Sequence, residues 1–243
     1  MISCLITQLV MFGSMIINDI FDIDVDKINN PSRPLVKKTI KLYEAIISTI
    51  VIYALSLYLN NNYIYGRAKE IGNISILLSL LYTPIFKKVL LIKNIVCATI
   101  VSNTILYSGL LFKTDSNIIL YNFVKIIFAS SMYIEILQDI KDYEGDKKNK
   151  IYTLPVVLGK NISYKIIFSI LFSAIINILV DNQINNRINN QKKNLLILIS
   201  FFPMIINLIN VKINNYSIDT IKKALNSTTY SLLMLLIIVF YIK

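Results

Sequence analysis

The acidic residues that could carry chemistry stand in two short stretches, each directly after an apolar run. The first, at residues 18–34, reads NDIFDIDVDKINNPSRP and follows the apolar segment Leu5–Ile17. The second, at residues 135–146, reads EILQDIKDYEGD and follows another apolar run about 120 residues later. Ionisable groups at membrane depth are rare and usually functional, so these two stretches are the first candidates for a site.

Helical periodicity places most of these polar side chains on one face of each stretch. At about 100° per residue, the face predicted in the first stretch holds Asn18, Asp19, Asp22 and Asp26. The face predicted in the second stretch holds Glu135, Asp139, Asp142 and Asp146. On the same reasoning, Asp24 and Glu144 point away from the two faces.

Two stripes of carboxylates repel one another unless cations lie between them. The sequence contains no histidine, which excludes Ser-His and Cys-His nucleophilic catalysis and histidine-ligated metals. Mg²⁺ prefers oxygen ligands and commonly combines one or two carboxylates with substrate phosphates and waters. The pattern therefore predicts a polyphosphate held through bridging metal ions. The alternative is that the acids are solvated loop residues that cap helices, which each aspartate taken alone would fit.

The composition indicates an all-α, polytopic membrane protein. Of the 243 residues, 55% are hydrophobic, and the mean hydropathy is +0.62, which is too apolar for an ordinary soluble domain. A spanning helix needs about 20 mostly apolar residues. The sequence predicts one membrane domain over residues 1–243, a helical bundle with two pseudo-symmetric halves around a central cavity. Eight spans are predicted, at about 1–18, 40–60, 71–86, 93–112, 118–138, 163–180, 194–211 and 226–242.

The net charge of +11 is explained by membrane topology and not by nucleic-acid binding. Most lysines and arginines fall in the loops after spans one, three, five and seven, whereas the opposite loops hold few. Cytoplasmic loops carry such an excess, so both acidic stretches are predicted to lie on the cytoplasmic side of the cell membrane. Neither a basic helix nor an aromatic-interleaved groove is present to suggest a nucleic-acid partner.

These motifs resemble those of the UbiA superfamily of intramembrane prenyltransferases. The first signature of that family is matched by NDxxDxxxD, with Asn18, Asp19, Asp22 and Asp26, and by the following Asn29, Pro31, Arg33 and Pro34. The second is matched by Asp139, Asp142 and Asp146. DYEGD, TLP at residues 153–155 and Gly159 are most similar to the archaeal digeranylgeranylglyceryl phosphate synthases. The segment 82–94, YTPIFKKVLLIKN, resembles the family's Tyr/Lys segment.

The resemblance implies a set of site residues. Metal ligands are expected at Asp19, Asp22, Asp26, Asp139, Asp142 and Asp146, with Mg²⁺ as the cofactor. The expected catalytic residues are Asp22, Asp26, Asp142 and Asp146. Contacts with the diphosphate are expected from Asn18, Arg33, Lys87, Tyr82 and Lys147. The family has nine helices, so its first helix is expected to be absent from this sequence.

The activity implied is transfer of a prenyl group, geranylgeranyl by the resemblance, from its diphosphate to an acceptor hydroxyl. The expected acceptor is geranylgeranylglyceryl phosphate, which would give an ether in membrane lipid biosynthesis. An aromatic acceptor, as in quinone biosynthesis, is the alternative, with Tyr43, Tyr82 and Tyr107 as stacking candidates. A non-catalytic homologue or a cation transporter would also place carboxylates in a membrane.

Overall fold

The structure is a computed structural model that describes residues 1–112, 118–184 and 190–241. Within these ranges the chain is helical and has no strand. The long helices are α1 (Ile2–Phe21), α3 (Leu42–Tyr63), α4 (Gly66–Tyr82), α5 (Ile92–Leu111), α6 (Ile118–Lys141), α9 (Lys160–Ile184), α10 (Asn190–Ile213) and α11 (Ile218–Tyr241). The short helices are α2 (Ile23–Asn29), α7 (Tyr143–Lys148), α8 (Leu154–Leu158) and a 3₁₀ turn at Phe86–Lys88.

The predicted all-α membrane fold is confirmed. Long helices overlap all eight predicted spans, although their ends differ by several residues. Among the described residues, four helices are both long and apolar enough to cross a membrane, namely Ile2–Phe21, Leu42–Tyr63, Ile92–Leu111 and Leu120–Lys141. Leu198–Ile213 is a shorter apolar helix. The count of eight spans stays a prediction.

The chain divides into two compact units, residues 1–124 and 125–243. The first unit contains α1 to α5 and the start of α6, and it carries the first acidic motif. The second unit contains the rest of α6 and α7 to α11, and it carries the second motif. Each predicted half therefore has its own unit and its own motif, and the two are described separately below.

Helix α3 shows how the first unit packs. It buries a narrow stripe of small and polar side chains and exposes large aliphatic ones. The buried stripe is Ala45, Thr49, Tyr53, Ser56 and Asn60, and the exposed residues include Ile46, Ile47, Ile50, Val51 and Leu55. This arrangement is typical of a helix in lipid, where small residues let helices approach closely and polar residues hydrogen-bond across the interface.

Asn60 is the centre of a buried hydrogen-bond network in this unit. The residue is fully buried, and its Nδ2 donates to the carbonyl oxygen of Lys69 and to Oδ1 of Asn73, both at 2.9 Å. Its Oδ1 accepts a hydrogen bond from the Tyr107 hydroxyl at 3.1 Å. The network links α3, α4 and α5, and Gly72 of α4 lies directly against the amide group of Asn60.

Proline and glycine residues end the helices that carry the motifs. Pro31 follows α2, where Asn30 has already left the helical region, and Pro84 follows Thr83 at the end of α4; a proline has no N–H to donate to the carbonyl one turn earlier. Pro155 lies in the first turn of α8, where its missing N–H has no consequence. Gly159, with φ of 86°, separates α8 from α9. These breaks produce the short connections in which Arg33, Lys87 and Thr153 lie.

We predict that Gly72→Ala destabilises the protein by about 1–3 kcal/mol, because it overpacks the interface of α3 and α4. A Cβ at this position would lie 2.4 Å from Oδ1 of Asn60. The Asn60 amide cannot move away without weakening its three hydrogen bonds. Thermal unfolding in detergent measures the effect. Gly145→Ala is the matched control, since no atom lies within 4 Å of its added Cβ; equal melting temperatures for the two variants would contradict the packing argument.

Candidate functional site

The first acidic motif lies where α1 passes into α2, and the change of helix falls on Asp22. This residue has φ of −98° and ψ of 7°, a bridge-region conformation that is often seen at active sites. The i→i−4 hydrogen bonds nevertheless continue through it: the Asp22 amide donates to the Asn18 carbonyl at 2.9 Å, and the Asp26 amide donates to the Asp22 carbonyl at 2.8 Å. The assumption of an uninterrupted helix was therefore wrong at one residue, although the helical succession of side chains is kept.

Two basic residues from distant connections pair with the carboxylates of this motif. The Lys87 ammonium, on the 3₁₀ turn, donates to both carboxylate oxygens of Asp22 at 2.7 and 2.9 Å and to Oδ1 of Asn18 at 2.9 Å. The Arg33 guanidinium donates from Nη1 to Oδ1 of Asp19 at 2.6 Å, and its Nε lies 3.9 Å from Oδ2 of Asp26. The sequence proposed seven residues for this half of the site. The structure brings six of them together, and Tyr82 is the exception.

Asp26 and Asp24 have opposite environments, as the helical periodicity predicted. Asp26 is buried, with 6% of its surface exposed, and its Oδ1 also accepts a hydrogen bond from Nδ2 of Asn30 at 3.1 Å. The Asp24 side chain is 92% exposed and pairs with Lys27 at 2.6 Å. The hydrogen bond from Lys27, reinforced by its charge, holds the pKa of Asp24 below the ordinary value of an aspartate. Asp24 therefore behaves as a solvated surface residue.

The second motif, in the second unit, repeats the break of the first. Asp142 separates α6 from α7 with φ of −89° and ψ of 5°, and the amides of Asp142 and Asp146 donate to the carbonyls four residues earlier at 2.9 Å. Asp139 is buried. The carboxylate of Asp146 accepts a hydrogen bond from the buried Thr153 hydroxyl at 3.1 Å.

The remaining predicted residues lie near the motifs in different ways. Tyr82 is the last residue of α4 and is half-buried. Lys147 lies in the last turn of α7, where its ammonium is 5.6 Å from the centre of the Tyr143 ring. Glu144, whose side chain is 82% exposed, pairs with Lys160 at 3.5 Å. Its exposure agrees with the prediction that it points away from the acidic face.

An apolar cavity of about 320 Å³ lies within the first unit, between α1, α4 and α5. Its lining on α1 runs from Ile6 to Ser14, and Ser14 precedes Asn18 by one helical turn, so the cavity and the motif share a face of α1. Small polar side chains line the cavity, but they are bonded elsewhere. Hydroxyl groups of Thr7, Ser14, Ser75 and Thr104 donate to carbonyls of their own helices, Asn103 donates to Ser75, and Ser79 pairs with Tyr53.

The oxygen groups of the first motif fit a magnesium ion that is shared with a phosphate ligand. In the parts of the chain that the structure describes, no three acidic, histidine or cysteine side chains lie close enough together to hold a metal ion by themselves. Mg²⁺ does not need such a cage, because it is usually bound by one or two carboxylates with phosphates and waters completing its shell. Asp19, Asp22 and Asp26 offer such carboxylates, and Asn18 adds an amide oxygen.

The profile of the UbiA prenyltransferase family matches residues 1–183, about three quarters of the chain. The chain belongs to the UbiA prenyltransferase family. One relative, the digeranylgeranylglyceryl phosphate synthase of Saccharolobus solfataricus, is 33% identical over 172 residues, which cover 68% of this chain and 59% of the relative. The matches span between half and three fifths of the length of such curated relatives.

Solved structures of UbiA proteins share the fold. A digeranylgeranylglyceryl phosphate synthase studied in membranes superposes with a TM-score of 0.80 at 26% identity, covering 98% of this chain and 82% of its own. A UbiA homologue from Archaeoglobus fulgidus, bound to DMAPP and Mg²⁺, has a TM-score of 0.72 at 20% identity, covering 96% of this chain and 86% of its own. Together with the apolar helices, the family assigns this chain to the integral membrane proteins.

Three contacts of this UbiA protein were missed by the sequence reasoning. Asn30 donates to Asp26, Thr153 donates to Asp146, and Lys160 pairs with Glu144. The signal for the first two was present, because Asn30 immediately precedes Pro31 and Thr153 stands at the N-cap of a helix with proline in its first turn. Polar residues at such breaks leave the helix and can turn back toward the preceding motif.

Proposed function

We propose that the chain is a magnesium-dependent prenyltransferase that moves a geranylgeranyl group from its diphosphate to the free hydroxyl of geranylgeranylglyceryl phosphate. The observation that carries the proposal is the first motif, in which Lys87 and Arg33 are held against Asn18, Asp19, Asp22 and Asp26. Carboxylates for metal ions and cations for phosphate oxygens stand side by side, as recognition of a metal diphosphate requires.

The proposed roles follow from the charges. Asp19, Asp22 and Asp26 would hold Mg²⁺ in the first unit, and Asp139, Asp142 and Asp146 would do so in the second. Bound magnesium supplies positive charge that stabilises the leaving diphosphate. Lys87 and Arg33 would be the principal phosphate ligands, because their N–H groups already lie among the carboxylates that would hold the metal. Asn18, Tyr82 and Lys147 are proposed as further diphosphate contacts.

The transfer breaks the bond between C1 of the prenyl chain and the diphosphate oxygen, and the diphosphate leaves with the electron pair. The acceptor hydroxyl oxygen then forms a bond with C1 and loses its proton, so that the products are an ether, diphosphate and a proton. The chain's own contribution is to bind the diphosphate at its polar end and to surround the apolar tail. The cavity within the first unit suits this second task, because its hydroxyl groups are already satisfied and it exposes an apolar surface.

We also propose that both motifs face the cytoplasm. The loops that carry them are rich in basic residues, among them Lys37, Lys38, Lys147 and Lys148, as expected of cytoplasmic loops. Prenyl diphosphates are anionic and water-borne at their polar end, so a basic cytoplasmic entrance favours their binding.

The function is tested by mass spectrometry of the products after purified protein in lipid is incubated with geranylgeranyl diphosphate, Mg²⁺ and a panel of acceptors. The panel contains geranylgeranylglyceryl phosphate, an aromatic quinone precursor and no acceptor. We expect an ether product with the first, loss of product in EDTA and recovery on addition of Mg²⁺. A prenylated aromatic product would reassign the acceptor, and absence of product in every arm would contradict a transferase.

Substitutions in the two motifs test the metal sites. Asp22→Asn and Asp142→Asn should each lower turnover by about two to four orders of magnitude, because each removes a charge that the metal requires. Asp24→Asn and Glu144→Gln are the matched controls, as both side chains are exposed and lie off the acidic faces. Near-normal turnover in both motif variants, or an equal loss at Asp24, would refute the assignment.

The depth of the cavity predicts a preference for chain length. Ser14 lies about 12 Å and Thr7 about 22 Å from Asp22 along α1, at 1.5 Å per residue. An isoprene unit extends by roughly 5 Å, from four bonds of about 1.5 Å in a zigzag, so four units reach the floor of the cavity. Ser14→Phe should therefore lower turnover of geranylgeranyl diphosphate at least about tenfold and spare geranyl diphosphate. Ser108→Phe, at an exposed position of α5, is the control. An unchanged ratio between the two substrates would exclude this path for the tail.

A further inference from the structure

A second polar cluster lies in the second unit, outside the acidic motif. It consists of Asn161 and Tyr164 from the start of α9, Lys212 from the end of α10, and Tyr216 from the connection to α11. We propose that this cluster, here called the Lys212 cluster, binds the phosphate group of a lipid. This inference rests on the proposed prenyl transfer, in which the lipid is the phosphate-bearing acceptor.

Lys212 is the centre of the cluster. Its ammonium donates to the Tyr216 hydroxyl at 2.9 Å and to Oδ1 of Asn161. It also lies 5.7 Å from the centre of the Tyr164 ring and 5.4 Å from that of Tyr216. The two rings meet edge to face, with centroids 6.2 Å apart. The charge is thus positioned by four contacts with three side chains, which come from the start of α9 and from the connection to α11.

The backbone adopts an uncommon conformation to bring Tyr216 to Lys212. The end of α10 forms a Schellman-type cap, in which the Tyr216 amide donates to the Val211 carbonyl at 2.9 Å and the Asn215 amide to the Lys212 carbonyl at 3.3 Å. Such a cap needs one left-handed residue, and Asn215 supplies it with φ of 49°. Tyr216 is also left-handed, with φ of 61°, which is a genuine outlier for a bulky residue. An outlier of this kind is a reason to look for function.

The cluster offers hydrogen-bond donors to an anion. Within the described residues, no carboxylate forms an ion pair with Lys212. An ammonium has three N–H donors, and two of those of Lys212 are directed to oxygen atoms of the cluster. The donors that remain are the third N–H of Lys212, the amide group of Asn161 and the hydroxyl of Tyr164. A metal ion is excluded as the ligand by the positive charge, and a phosphate oxygen fits both the charge and the donors.

The position of the cluster relates it to the second motif of the same unit. Asn161 directly follows Lys160, whose ammonium lies 4.4 Å from the centre of the Tyr143 ring and 3.5 Å from Glu144. Both of these contacts are residues of α7, the helix that carries Asp146. Tyrosine and lysine side chains are common at the membrane interface, where lipid head groups lie. A phosphate bound here would therefore belong to a lipid whose head group lies close to the second acidic motif.

The test combines lipid binding with kinetics. Lys212→Met is compared with Lys212→Arg, which keeps the charge, and with Lys165→Met, an exposed lysine one turn along α9. Native mass spectrometry of the purified protein measures binding of phosphatidic acid, of a phosphodiester lipid and of diacylglycerol, which has no phosphate. We expect Lys212→Met to weaken binding of phosphatidic acid about tenfold, as loss of one charge-assisted contact implies, and to leave diacylglycerol unchanged. Lys212→Arg and Lys165→Met should bind phosphatidic acid as the unmodified chain does.

Kinetics then distinguish the source of the phosphate. For an acceptor site, Lys212→Met raises the KM for geranylgeranylglyceryl phosphate about tenfold, with kcat and the KM for the prenyl diphosphate within about twofold. If the acceptor KM is unchanged while binding of the phosphodiester lipid falls, the cluster holds a phospholipid of the bilayer, which still supports a lipid-phosphate site. Equal phosphatidic acid binding by Lys212→Met and the unmodified chain, or an equal loss in Lys165→Met, overturns the proposal. If no acceptor is prenylated at all, the proposed function fails, but the binding arm still decides the question of the cluster.

Discussion

The need to compensate negative charge at the end of an apolar helix governs the first unit. Helix α1 carries no charged residue before Asp19, and it then reaches several carboxylates within two turns. Lys87 and Arg33 meet this need from two connections, and each contacts two residues of the motif. Prolines follow α2 and α4, and the connections that begin there turn back toward the motif.

The two motifs share a backbone geometry but differ in the group that contacts the last aspartate of each. Both break the helix at the central aspartate with nearly the same backbone angles. In the first, Arg33 contacts Asp26; in the second, Thr153, at the corresponding distance along the chain, donates to Asp146. A hydroxyl orients a carboxylate without neutralising it. The second motif also contains an ion pair, because Lys141 lies 3.5 Å from Asp142. Similar sequence signatures in the two halves therefore do not require the same side-chain contacts.

Much of this architecture could be predicted from the sequence, and the exceptions have physical reasons. Helical periodicity placed Asp24 and Glu144 off the two acidic faces, and the exposure of both side chains agrees with it. The contact of Lys87 with Asp22 joins residues far apart in sequence, so helical periodicity could not identify it, and only the family resemblance named Lys87, as one of several diphosphate contacts. The break at Asp22 could not be predicted, because a single bridge-region residue leaves the hydrogen-bond ladder intact and has no signature in residue type. The all-α fold and the family follow from motifs and composition, which do not depend on such local detail.

Small polar residues occur within the apolar helices at positions where other parts of the protein can bond their polar atoms. In a membrane the polar atoms must be bonded within the protein, so serine, threonine and asparagine collect on buried stripes such as that of α3. Along the cavity the same residue types turn their hydroxyl groups onto carbonyls of their own helices. A hydroxyl bonded in this way occupies less volume than a leucine side chain and offers little polarity to a ligand. Small polar residues therefore allow close helix packing and an apolar cavity in one unit, and larger aliphatic side chains at the same positions would fill that cavity.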